Sequence, residues 1–371
     1  MESSNTAERT RLINDNEQPV TYCDEELHTI EGDFAGVTNP YKRRDKSEDH
    51  PLSKVQKMHL FLLVFTFLST CVYVALTKSL YKPFEFDRIN TVISFGDSYT
   101  TRYLNMDSLT YACRNCTSAG GPNWVIYLTD ATRWVSWDFA YNSAPVNNSI
   151  VKQVYIFINV PTVTDVSTQV RSLYPKLFVS PTEKIANIIA SQYVDTVRTQ
   201  QSTLTTIWVG INDIGLTHDW NDTDAIDIEI MQKYRVLIEE LLEKGVFQFM
   251  FINVPPIDRA PMWHNKSNQK LIRSRVKAYN KKLKEMIKTL RTSHSAATFF
   301  QYNAWDFFNG LMDHAKDYNM TDIDTFCPDW SHPVERNCKP IGEYFWLNNL
   351  HPTFRVHKLM AQDVVKYLRS Q

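Results

Sequence analysis

Hydrophobic patterning divides the chain into unequal parts. Residues 1–57 are polar and charged, with few aromatics and no apolar period. Such a stretch cannot bury enough surface to order itself, so a disordered tail is predicted. From Met58 to Leu76 the pattern inverts. MHLFLLVFTFLSTCVYVAL contains no Asp, Glu, Lys or Arg and is apolar on nearly all faces. At helical rise this length matches a bilayer core, which predicts a transmembrane helix at 58–76. A signal peptide has a shorter apolar region near the N-terminus. Residues 77–88 read as a linker, and 89–371 as one folded domain.

Within that domain, apolar runs of strand length alternate with stretches of helical period. Strands are predicted at 91–95, 134–141, 204–209, 246–254 and 297–302. A helix is predicted at 122–129 with Pro122 in its first turn. Another opens at Ser180-Pro181-Thr182-Glu183, which carries capping chemistry. A third runs over 224–244, where Ile226, Ile230, Tyr234, Leu237 and Leu241 share a face and Gly245 stops it. Helices at 269–290 and 354–368 complete the set. The basic run of 269–290 (Lys270, Arg273, Arg275, Lys277, Lys281, Lys282, Lys284) reads as a solvated face. This alternation predicts a mainly parallel sheet with helices on both faces, a three-layer α/β/α domain.

Charge adds orientation. Lys42, Arg43, Arg44, Lys46, Lys54 and Lys57 precede the apolar segment, whereas Lys78, Lys82 and Arg88 follow it. The excess of positive charge puts the tail in the cytosol and the domain outside or in a lumen, a single-pass type II arrangement. Glycosylation sequons stand at Asn115, Asn147, Asn221, Asn265 and Asn319, all after the span. Of six cysteines, Cys23 is in the tail and Cys71 in the span. The remaining four suggest two disulfides in an oxidising compartment, most simply Cys113–Cys116 and Cys327–Cys338. A zinc site is the rival, but the second pair lacks Cys-x-x-Cys spacing. The formal net charge of −1 gives no reason to expect nucleic-acid binding.

Candidate chemistry begins at Ile93-Ser94-Phe95-Gly96-Asp97-Ser98, where a buried strand ends in Gly-Asp-Ser. α/β folds place ligands at such strand ends. Three further blocks follow in order: Gly120-Gly121-Pro122-Asn123-Trp124, Gly210-Ile211-Asn212-Asp213 and Leu350-His351-Pro352-Thr353.

Together the four blocks resemble the GDSL hydrolases, also called the SGNH superfamily. Phe251 to Pro261, and Tyr344-Phe345-Trp346 ahead of His351, look like the fungal acetylesterases of carbohydrate esterase family 16. The resemblance covers about residues 88–370. It implies a serine nucleophile at Ser98 and a base at His351. It implies an oxyanion hole of the Ser98 and Gly121 backbone N–H groups and the Asn212 amide, with Gly120 as the alternative to Gly121. It implies an acylated carbohydrate as substrate and no metal or organic cofactor. The family's late block is Asp-x-x-His-Pro, but Asn348 stands where the Asp is expected. A second match, Asp329-Trp330-Ser331-His332-Pro333, has the acid but lacks the flanking family residues. The expectation is therefore a membrane-anchored esterase removing acetyl or other short acyl groups. The alternatives are a catalytically weakened glycan-binding accessory protein, for which Asn348 speaks, and a lipid acylhydrolase or acyltransferase.

Overall fold

The computed structural model describes residues 53–80, 84–151, 164–192 and 198–371, with side chains left out over 70–80. It divides into two compact units, Met1–Ser69 and Thr70–Gln371. The predicted tail lies almost wholly outside the described residues. Helix α1 (Lys54–Leu80) covers the predicted span and continues beyond it at both ends. Its side chains are described as far as Ser69, so Thr70–Leu76 of the expected span are not among them. Among the described residues no helix is long and apolar enough to cross a membrane.

The second unit is built on five strands: β1 (Thr91–Gly96), β2 (Val135–Asp138), β3 (Thr203–Trp208), β4 (Gln248–Ile252) and β5 (Thr298–Tyr302). All pair in parallel, in the order β2-β1-β3-β4-β5. Every residue of β1, β3 and β4 is buried. That is the condition of central parallel strands covered on both faces, and it explains why they read as unbroken apolar runs.

The strand order fixes the layers. From β1 the chain moves one way to β2, through α2 (Trp124–Thr132). From β3 it moves the other way to β4, through α4 (Ile211–Thr217) and α5 (Thr223–Glu243), and on to β5 through α6 (Gln269–Ser293). Right-handed crossovers in opposite directions put their helices on opposite faces. The contacts agree: α5 packs on α6, whereas α2 packs on the C-terminal helix α8 (Phe354–Arg369). On α8, Val356, Met360, Ala361, Val364 and Leu368 form the buried stripe. Each fully buried aliphatic chain of this kind stabilises by ~1.5–3 kcal/mol. The remaining labelled helices are α3 (Glu183–Gln192) and α7 (Ala304–Asp313). Since β1 and β3 lead away in opposite directions, their C-terminal ends form the crevice where such sheets bind ligands.

Several boundaries differ from expectation. Pro122 is not in the first turn of its helix. Asn123 is the N-cap, accepting from Ile126 N at 3.3 Å, and the helix begins at Trp124. The expected linker is shorter, because Phe84 packs edge-on against Phe300 and Phe86 lies against Trp134. Strand 134–141 narrows to four paired residues. Its continuation still follows β1, with Phe139 N donating to Ser94 O and Tyr141 N to Gly96 O. Both expected disulfides are formed, Cys113–Cys116 and Cys327–Cys338. No thiolate of the four is left for zinc.

The sequon at Asn147 needs correction. Its side chain is buried, with Nδ2 donating to Ser167 Oγ at 2.8 Å and Oδ1 accepting from Ser149 N. A glycan there would displace a packed, hydrogen-bonded amide. Asn115, Asn221, Asn265 and Asn319 are all exposed.

Candidate active site

The chain leaves β1 at Gly96, where a Cβ would stand 2.2 Å from Trp208 O of the neighbouring strand. Only glycine lets the two strand ends come this close, and its φ of +150° disfavours a side chain as well. Gln169, fully buried, braces the same peptide. It accepts from Gly96 N at 2.9 Å and donates to Gly96 O at 2.8 Å. Asp97 then folds the turn. Its Oδ1 accepts from Tyr99 N, and its carbonyl accepts from Thr100 N and Thr101 N, each at 3.0 Å. The other carboxyl oxygen is buried without a partner. Burial pushes the Asp97 pKa up to about 8. The turn thus leaves Ser98 pointing out of a rigid loop.

The loop carrying His351 is held from several sides. Tyr99 OH donates to Leu350 O at 2.6 Å, Met262 N donates to Asn349 O at 2.8 Å, and Leu347 N donates to His351 O at 2.7 Å. Phe354 N donates to Ala119 O at 2.7 Å, which ties the start of α8 to the Gly120-Gly121 block. The consequence is contact between residues 253 positions apart: His351 Nε2 lies 2.7 Å from Ser98 Oγ.

The other ring nitrogen decides the tautomer. His351 Nδ1 lies 3.1 Å from Asn348 Oδ1. That same oxygen accepts from Leu350 N at 3.0 Å and His351 N at 2.8 Å. An amide NH₂ cannot accept two backbone N–H bonds, so the oxygen faces the ring. Nδ1–H therefore donates to Asn348, and bare Nε2 accepts from the Ser98 hydroxyl. Asn348 does the orienting half of an acid's work and supplies no charge. Burial lowers the His351 pKa to about 4, with no carboxylate opposing it. The imidazole is neutral, and able to take a proton, above that pH.

Of the three expected oxyanion donors, Ser98 and Asn212 follow the neighbouring strands β1 and β3, and Gly121 lies against Phe354 at the start of α8. Ser98 N and Gly121 N donate to no protein group among the described residues. Gly121 is buried and Gly120 is exposed. A Cβ on Gly121 would meet Phe354 Cβ at 2.8 Å, so this peptide must be glycine for α8 to start where it does. Asn212 is in the first turn of α4. One hydrogen of its Nδ2 goes to Ala144 O at 3.1 Å, which fixes the side chain and leaves the other free. Asp213 beside it accepts from Val146 N at 3.0 Å. Burial pushes its carboxyl up to about 7.

The second acid–histidine motif is elsewhere. His332 Nδ1 bonds Asp329 Oδ2 at 2.9 Å, and both side chains are substantially exposed. The structure does not bring Asp329 to His351, whose Nδ1 is occupied by Asn348.

Sequence reasoning missed Tyr99 and Gln169. Tyr99 was visible only as the residue after Ser98, and no local pattern marks its hydroxyl as the tie to the histidine loop. Gln169 lies in a π-helical turn (Gln169–Leu173) between two short α-helical stretches, and nothing in its neighbourhood announces a partner 73 residues away.

A serine at a strand end, donating to an imidazole oriented through its far nitrogen, has the geometry of an activated nucleophile. The family model described as GDSL-like lipase/acylhydrolase matches residues 92–364, and the chain belongs to that family. It is similar to an acetylesterase of Thermothelomyces thermophilus, with 25% identity over 290 residues, covering 74% of this chain and 86% of the relative. Among solved structures it is similar to an acetyl xylan esterase from Geobacillus stearothermophilus, with 12% identity, TM-score 0.38 and coverage of 76% and 96%. It is also similar to a family two carbohydrate esterase from Clostridium thermocellum, with 12% identity, TM-score 0.40 and coverage of 78% and 65%.

Proposed function

We propose that this protein is a serine ester hydrolase that removes acetyl or other short acyl groups from carbohydrate on the extracytoplasmic side of a membrane. The observation that carries the reading is the 2.7 Å contact from Ser98 Oγ to a neutral, oriented His351 Nε2. In this reading Ser98 Oγ attacks the ester carbonyl as its proton passes to Nε2. The oxyanion is met by Ser98 N, Gly121 N and the free amide hydrogen of Asn212. The sugar alkoxide leaves with the proton from His351. Water, deprotonated by the same nitrogen, then releases the acid and restores Ser98. Similarity to the acetylesterase supports the choice of a short acyl group.

Anchoring by Met58–Leu76 is supported by the side chains described there. Met58, Phe61, Leu63, Phe65 and Phe67 of α1 are all exposed, although they point in different directions around the helix. An apolar stretch with no buried side chain among those described calls for an apolar surrounding. Protease added to sealed microsomes should then clip the tail and spare the domain. A protected tail with a digested domain would reverse the orientation.

A second reading, a glycan-binding accessory protein with little turnover, is favoured by Asn348 alone. One assay separates the two. Full-length detergent-solubilised protein and Ser98→Ala are given acetylated oligosaccharides, longer acyl esters and phospholipid. Release of acetate by the wild type and not by the variant supports the esterase. Turnover that survives Ser98→Ala, or none from the wild type on any ester, rejects it.

A further inference from the structure

The basic run on α6 is not uniform. Arg275 forms a buried pair with Asp227, Nη2 to Oδ1 at 2.9 Å. Arg273 Nε lies 2.7 Å from Asp258, and Lys282 pairs with Asp224. These three are structural. Lys277, Lys281 and Lys284 sit at i, i+4 and i+7, which is one face of the helix. Among the described residues none of the three pairs with a carboxylate.

Those three lysines line an open cavity of about 410 Å³ together with Asn253, Asn280 and Trp305. The amides are fixed. Asn280 accepts from Val254 N at 2.9 Å and donates to Val254 O at 2.8 Å. Asn253 Oδ1 accepts from Trp305 N at 3.0 Å. The Trp305 ring is half-buried, with Lys277 Nζ 5.8 Å from its centroid. Asp306, next to it, accepts from Asn303. The cavity therefore offers an aromatic ring, preset amides and three positive charges without a carboxylate partner, one of them beside the ring, on a chain whose net charge is −1.

Its position is as informative as its lining. Asn253 follows β4 and Trp305 follows β5, while Ser98 follows β1 and β3 lies between. Two to three strand spacings separate β1 from β4 and β5, so the cavity is ~10–15 Å along the same sheet edge. A ligand there does not compete with the ester at Ser98, but one saccharide chain can reach both.

We propose that this cavity is a second saccharide subsite for an acidic sugar, one carrying a carboxylate or sulfate, in the chain whose ester is cleaved at Ser98. The ring stacks on a sugar face, the amides hold hydroxyls, and the lysines meet the anion. Its role in turnover rests on the esterase reading; binding itself does not.

The test is therefore made first without catalysis. Full-length Ser98→Ala protein is titrated calorimetrically with an oligogalacturonate, a sulfated galactan oligosaccharide that carries no carboxylate, and a neutral xylo-oligosaccharide. Tighter binding of either acidic probe supports the subsite, and the stronger of the two names the acid group. Lys277→Gln, Lys281→Gln and Lys284→Gln together should weaken that binding about ten- to a hundred-fold and flatten its salt dependence, while Lys270→Gln leaves it unchanged. In the active protein the triple variant should raise KM for an acetylated acidic oligosaccharide with kcat unchanged, and leave a neutral one unaffected. Equal binding of acidic and neutral probes, or undiminished binding by the triple variant, overturns the proposal. Acid-selective binding by a protein with no turnover would sink the esterase reading and leave the subsite standing.

Discussion

Two segments of this chain, 19 residues apart, make the same local structure with opposite chemistry. In Asp329-Trp330-Ser331-His332 the acid accepts from the backbone N–H two residues on and from its histidine's Nδ1. In Asn348-Asn349-Leu350-His351 the amide oxygen accepts from the backbone N–H two residues on and from its histidine's Nδ1. The first has the carboxylate and an exposed imidazole. The second lacks the carboxylate, but its imidazole meets Ser98. The turn that joins side-chain oxygen to histidine is thus a local product of spacing. What makes one histidine a candidate base is the sheet edge it lands on.

The largest expected effect breaks the symmetry outright. His351→Ala should lower turnover by roughly 10⁴-fold or more, comparable with Ser98→Ala, because nucleophile and base act as a unit. His332→Ala should leave kcat within about twofold. Equal losses from the two histidine variants would mean that the contact at Ser98 is not the working one.

Moving the acid to where the base is sharpens the comparison. Asn348→Asp should raise kcat by about ten- to a hundred-fold, since a carboxylate stabilises the imidazolium that the amide only orients. The pH profile should shift with it. With His351 held down to about 4, wild-type kcat/KM is retained at neutral pH and lost as pH falls through that value. An adjacent carboxylate favours the protonated ring, so the acid limb of the variant should move to higher pH. An unchanged limb together with an unchanged kcat would show that Asn348 does not act on the ring.

Smaller effects probe the ties that aim the second motif. Tyr99→Phe removes the bond to Leu350 O and keeps the ring against Trp208. A fall in kcat of about five- to tenfold at constant KM is expected, corresponding to one net hydrogen bond. A raised KM with kcat intact would assign Tyr99 to binding instead. Last, Asp329→Asn removes the carboxylate from the exposed pair. It should change kcat by less than about twofold, since exposed pairs contribute little and this one touches no part of the site.

Much of this was legible early because it depends on short-range physics. The buried runs of β1, β3 and β4, the helix α8 and the cap before α3 follow from periodicity and local hydrogen bonding. The helix α7 escaped, although Asn303 accepting from Asp306 N is an ordinary cap that a closer reading of Asn-x-x-Asp could have found. The basic run of α6 read as one solvated face. Its division into three paired charges and four without a carboxylate partner among the described residues depends on Asp224, Asp227 and Asp258, which come from other elements.

By itself the sequence determined the alternation of strands and helices, the four blocks in order and the turn that couples each histidine to the oxygen three residues before it. These need only neighbours along the chain. The tertiary structure alone decided which histidine faces Ser98, that Asn147 is interior and that three lysines share a cavity. Each of those depends on a partner brought in across the sheet by packing, and such distances are not written in local spacing.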